Sequence, residues 1–176
     1  MTAFVPLRAE VAPASAADGI RPGAVWLVGG GPADPDRVPL MALRAIRAAD
    51  IVLFDAALGA EFATWLREGA RYGEPVAASD AARERALTRA VALAGDGWRV
   101  VRLVAGDPLA TPHGVAAART LEAAEISVRV VSGMASPTAA LAAAGVPGWA
   151  IERRSRRAVP ELPPAAETAS LAGLAG

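Results

Sequence analysis

Four short stretches hold the residues that could do chemistry. They are Gly29-Gly30-Gly31-Pro32-Ala33-Asp34, Asp55, Ala105-Gly106-Asp107-Pro108 and Ser132-Gly133. Each follows an apolar run. Glycine tolerates positive φ and carries no side chain, so the first stretch could bring backbone close to a ligand. It lacks the third glycine of a dinucleotide fingerprint, and no Gly-Lys-Ser/Thr follows, so no Walker loop is present. Asp34 and Asp107 can line a ligand site or cap a turn, and the two roles are compatible. Asp55 can serve as a base, or as a carboxylate accepting backbone N–H groups at a strand end. There is no cysteine, which removes thiolate catalysis, disulfides and thiolate metal sites. His113 is the single histidine, in a Pro-His-Gly loop; this argues against a His-based metal site or a Ser-His-Asp triad. No metal is expected.

The elements that must position these residues alternate. The apolar run Ala24–Val28 reads as a strand, and residues 38–47 repeat apolar positions at helical spacing. Ile51–Phe54 is a second strand, and a helix with Phe62, Trp65 and Leu66 follows. A short third strand is expected near Ala70-Arg71-Tyr72. A helix over 80–94 stops at Gly95-Asp96-Gly97, a fourth strand covers Arg99–Val104, and a helix covers about Gly114–Ala124. Val128–Val131 is the fifth strand, before a last helix from about Ser136 to Ala144. Such alternation predicts an α/β fold with three αβα layers and a mainly parallel sheet of about five strands. Ligands of such sheets bind outside the carboxyl ends of the strands, where all four stretches should lie.

At 176 residues the expectation is one main domain: an N-terminal arm over 1–22, an αβ domain over 23–150, and an Arg/Pro/Ala-rich tail over 151–176. Every basic side chain is arginine, and 18 of these balance 18 acids, so nucleic acid and anionic membranes are not expected partners. No apolar run approaches the roughly 18 residues of a membrane helix, and the first 23 residues lack the form of a signal peptide. A cytoplasmic protein is expected. The arginines at 153, 154, 156 and 157 read as a solvated exit from the domain. The tryptophans read mainly as core or rim residues.

Taken together, four motifs resemble the tetrapyrrole methylases, with the uroporphyrinogen-III C-methyltransferases the nearest group. They are Pro22–Asp36, Ala49–Asp55, Arg99–Pro108 and Val131–Ser136, the last followed by Ala144-Gly145-Val146-Pro147. The resemblance covers about Pro22 to Pro147, the first of that family's two domains. It implies a methyl transfer from S-adenosylmethionine to a tetrapyrrole ring carbon. It places Pro32, Ala105, Gly106, Asp107, Ala110, Ala135 and Ser136 against the cofactor and gives Asp55 the part of proton acceptor. It further implies a homodimer.

Several positions depart from the family pattern. The family's lysine after a glycine at the end of the third strand is matched here by Gly73-Glu74, a carboxylate where a cation would stabilise negative charge. The Gly-Gly-Asp-Pro turn has Ala105 in its first place. The stretch after it reads Thr111-Pro112-His113-Gly114-Val115, and Ala150-Ile151 replaces a His-Arg pair. The family's second domain, the other wall of the cofactor cleft, has no match. The expectation is therefore a methyltransferase-like domain, shortened and weak or inactive alone, completed by a dimer mate or partner. The alternative is a non-catalytic binding module derived from the same fold.

Overall fold

A computed structural model of the chain describes residues 10–11, 19–69 and 72–146. It divides into two units, residues 1–140 and 141–176. The first contains a six-stranded sheet built from β1 (Glu10–Val11), β2 (Ala24–Gly29), β3 (Ile51–Asp55), β4 (Gly73–Val76), β5 (Val100–Val104) and β6 (Ser127–Val131). The strand order is β1-β6-β2-β5-β3-β4 and every pairing is parallel. Central strands buried on both faces must be apolar throughout, and Ala24–Gly29 is fully buried.

Helices α1 (Leu40–Ala48) and α2 (Gly59–Gly69) supply one face, where Ile46, Phe62 and Leu66 meet Trp26, Val28, Val52 and Leu103. Helices α3 (Asp80–Gly95) and α4 (Pro112–Ala123) supply the other, against Val25, Leu27, Leu53 and Val130. The α3 surface facing the sheet is Ala82, Ala86, Ala90 and Ala94, one small residue per turn, so the helix lies close. Ser79 caps it by accepting from Ala82 N at 3.3 Å, and Thr111 caps α4 by accepting from Gly114 N at 3.2 Å. The last helix, α5 (Ser136–Ala143), follows β6, and Ala139 on it is buried. In the second unit the described residues 141–146 close that helix with a turn at Gly145.

Sheet topology fixes the place of the site. The β2–β3 crossover runs over the α1 face, and the β5–β6 crossover runs over the α4 face. Neighbouring β2 and β5 therefore send the chain in opposite directions, which makes the crevice between them the topological switch point. The pairs Gly29↔Val104, Val28↔Val131 and Phe54↔Leu103 align the strand ends, so the turns after β2, β3, β5 and β6 share one edge. At the opposite end Asp50 binds Arg99 through both oxygens, at 2.7 and 3.0 Å, and holds its guanidinium above the ordinary value.

Three expectations change. Glu10–Val11, inside the stretch read as an arm, forms a strand paired with Arg129–Val130 of β6, so the sheet has six strands. Two residues are too few to show a periodic pattern, and only the neighbour defines them. The third strand of the sequence reading lies at Gly73–Val76, where Glu74 and Pro75 hide it from a propensity argument. His113 stands in the first turn of α4 rather than in a loop, because Thr111 and Pro112 start the helix ahead of it. The expectations for Trp149, for Ala150-Ile151 and for the arginines at 153–157 lie outside the described residues.

The alanine surface of α3 leaves no room for growth. Ala90→Leu is expected to destabilise by about 1–3 kcal/mol, while Ala92→Leu on the exposed side is neutral; paired urea unfolding curves check this.

Candidate functional site

Three glycines decide the geometry of the edge. A Cβ on Gly29 would fall 2.4 Å from Gly133 N, and one on Gly133 would fall 2.2 Å from Gly106 O. The turns after β2, β5 and β6 therefore touch backbone to backbone. Gly31 and Gly106, both at positive φ, exchange hydrogen bonds: Gly106 N donates to Gly31 O at 2.7 Å, and Gly31 N to Gly106 O at 3.2 Å. Gly30 N donates to Val104 O at 2.8 Å. The close approach that the sequence suggested for a ligand is spent here, between one turn and another.

Asp107 locks the same junction. Its Oδ1 accepts from Leu109 N at 2.8 Å and Ala110 N at 3.2 Å, which caps the short 3-10 turn Pro108–Ala110. Its Oδ2 accepts from Gly133 N at 3.0 Å. Asp34 caps the turn Pro35–Arg37 by accepting from Asp36 N at 3.1 Å, and it pairs with Arg37 at 2.9 Å. Capping is thus realised for both carboxylates. Around this junction lie Pro32, Ala105, Gly106, Asp107, Ala110 and Ala135, so three separate turns bring the sequence candidates to one shelf. Ser136 opens α5 beside them. Pro32, Ala105, Asp107 and Ala135 are half-buried and Ala110 is exposed. Small side chains leave the shelf uncovered, which fits one wall of a nucleoside site.

Asp55 ends β3 and faces the other side of the crevice. Its Oδ1 is ion-paired with Arg102 Nη2, and its Oδ2 accepts from Ala105 N at 3.1 Å. Arg102 was not among the sequence candidates. It is the one buried charged side chain among the described residues, on a strand whose other members are Val100, Val101, Leu103 and Val104. That charge inside an apolar strand was the available signal. Its Nη1 donates to Leu103 O at 2.8 Å and Leu53 O at 3.2 Å, so the ion is paired and hydrogen-bonded, as burial requires.

The pair lines a cleft of about 540 Å³ between α3, α4 and the ends of β3 and β5. Leu87, Ala117 and Val104 make it largely apolar, and Asp80 and His113 stand at its rim, 3.8 Å apart and well exposed. The volume falls within the roughly 300–1,000 Å³ of small-molecule sites. Glu74 lies away from this edge. Gly73-Glu74 opens β4 opposite Val52 and Leu53 rather than closing it, and Glu74 pairs with Arg89 on α3 at 2.8 Å.

Residues 24–170 match the Tetrapyrrole (Corrin/Porphyrin) Methylases. A uroporphyrinogen-III C-methyltransferase of Sinorhizobium is 39% identical over 132 residues, 71% of this chain and 46% of its own length. A siroheme synthase of Chromobacterium violaceum is 39% identical over 147 residues, 80% of this chain and 31% of its own length. Among solved structures, a uroporphyrin-III C-methyltransferase of Thermus thermophilus superposes with a TM-score of 0.61 at 35% identity. That match covers 71% of this chain and 54% of the other. A structure of such a methyltransferase from the same organism, complexed with S-adenosylhomocysteine, has a TM-score of 0.55 at 29% identity, covering 70% of this chain and 52% of its own. The chain thus spans about half the length of these methyltransferases, and less of the synthase.

The triple glycine contact makes a direct expectation. Gly133→Ala places a methyl group against Gly106 O and should destabilise by about 1–3 kcal/mol. Thermal midpoints should fall by roughly 2–4 °C for each kcal/mol, with Ser132→Ala unchanged.

Proposed function

The chain belongs to the tetrapyrrole methylases, and from that premise we propose that it is an S-adenosylmethionine-binding methyltransferase domain acting on a tetrapyrrole of the uroporphyrinogen-III type. The observation that carries this reading is the shelf at the switch point: three turns, locked by Gly29, Gly106 and Gly133, gather the cofactor candidates on one edge beside a cleft that reaches Asp55. S-adenosylmethionine, when bound, supplies an electrophilic methyl group on a sulfonium. Pro32, Ala105, Gly106, Asp107, Ala110, Ala135 and Ser136 form the cofactor's wall. Asp107 acts through the backbone, holding the β5 and β6 turns together. The cleft beside the shelf takes the methyl acceptor, and Asp55 accepts the proton that the ring system gives up from a neighbouring position once the carbon is methylated. Electron pairs balance: the new carbon–carbon bond takes a π pair of the pyrrole, the sulfur keeps the pair of its broken bond, and the pair of the neighbouring bond to hydrogen neutralises the cationic ring when its proton leaves.

One wall alone leaves a cofactor wet, without the dry surroundings in which charge stabilisation is strong. The second wall comes from beyond the described residues. Leu40, Leu109 and Met134 support this, being large apolar side chains exposed on the same edge. A second reading, a binding module without catalysis, is favoured by one observation. Glu74 stands where the family has a lysine, and the cation beside it, Arg89, is held in an ion pair with that carboxylate.

Calorimetric titration of the purified chain with S-adenosylhomocysteine tests the proposal. Saturable binding in the micromolar range is expected, weakened about tenfold or more by Asp107→Ala as the two turns come apart, where tenfold corresponds to about 1.4 kcal/mol. Absence of heat and of any thermal shift at millimolar ligand would sink the methyltransferase reading.

A further inference from the structure

We propose that Arg102 is the positioning residue of this site: one buried guanidinium aims the Asp55 carboxylate and, through it, sets the turn that meets the cofactor. Its functional sense rests on the reading of Asp55 as proton acceptor and of Ala105–Asp107 as cofactor contact. The structural coupling itself stands on geometry. The β3–β5 ladder ends at the pair Phe54↔Leu103, so the next amide, Ala105 N–H, has no strand carbonyl opposite it. Asp55 Oδ2 takes that place at 3.1 Å. A side chain has therefore replaced a rung of the sheet, and its orientation decides where the chain goes after β5.

A lone carboxylate at a strand end would turn about two side-chain torsions. Arg102 removes that freedom. It is itself fixed from both strands, its Nη1 donating to Leu53 O on β3 and Leu103 O on β5, and its Nη2 holds Asp55 Oδ1. The guanidinium is planar, with its donors in a fixed fork, so two anchored bonds determine the direction of the third. From Ala105 the constraint passes without a gap. Gly106 is the next residue and bridges Gly31, and Asp107 follows and holds Gly133 N. Each link between Arg102 and the shelf is a single hydrogen bond or a peptide unit.

A merely structural arginine would affect all of the sheet, whereas a positioning one acts on the turn. Amide hydrogen exchange of the full chain, measured by NMR without ligand, separates the two. Arg102→Met and Arg102→Lys are compared with the parent protein, using the Ala105 amide relative to the core amide of Val28. In Arg102→Met the Ala105-to-Val28 ratio of exchange rates should rise about tenfold, the scale of one hydrogen bond to a charged group. In Arg102→Lys, which restores the charge without the fork, the rise should be smaller but present. An unchanged ratio in both variants, including uniform acceleration of both amides, overturns the proposal. If Arg102→Met does not fold, Arg102→Lys decides alone. The exchange measurement contains no ligand, so a failure of S-adenosylhomocysteine to bind would remove the methyltransferase reading and leave this result intact.

Discussion

Contact between bare backbones at the switch point is the constraint on which the rest of this structure depends. The turns after β2, β5 and β6 meet at Gly29, Gly106 and Gly133, where a Cβ on Gly29 or Gly133 would lie 2.4 or 2.2 Å from the nearest main-chain atom and close to Gly106 O. Close-packed backbone cannot give way as a flexible side chain does, so a methyl group there must displace a turn. The approach also brings polar groups together without water. They are satisfied locally, by the Gly31–Gly106 exchange and by Asp107 accepting from Gly133 N. Glycine supplies the space and aspartate the hydrogen bonds.

The division of labour between the two faces of the sheet follows from the same crevice. Side chains alternate along each strand, so Val101 and Leu103 go to the α1–α2 core while Arg102 turns to the α3–α4 side, in register with Leu27 and Leu53. That side also contains the cleft, lined by Arg83, Glu84 and Leu87 of α3 and by the capped start of α4 near the ends of β3 and β5. A buried cation in an apolar layer is costly unless paired and hydrogen-bonded, and the Asp55–Arg102 arrangement meets both conditions. The ion pair thus links the floor of the cleft to the shelf beside it.

Outside the glycine contacts themselves, departures from the family pattern find room in the structure. Glu74, an acid in place of a cation, has an arginine from α3 to pair with and disturbs no core contact. Its neighbours in β4 are largely exposed. Ala105, where the family has glycine, stays half-buried on the shelf and its methyl group is not among the crowded contacts of the three glycines. The positions that cannot vary in size are those where backbone meets backbone.

The sequence by itself determined the αβα class, the places of four strands and of the five helices, and the edge on which Asp34, Asp55, Asp107 and Gly133 gather. Alternating apolar runs and helical periodicity are local properties, and parallel crossovers then force the turns to one side. Only the tertiary structure decided the rest. Glu10–Val11 becomes a strand because β6 offers an open edge, not because two residues prefer extension. The glycines that looked made for a ligand serve contacts between turns far apart in sequence, at positions 29, 106 and 133. Arg102 gained its role from acceptors on β3 and β5 and from a carboxylate 47 residues away in the chain. Such pairings depend on strand register across non-sequential neighbours, and register is set by packing of the whole sheet rather than by any one segment.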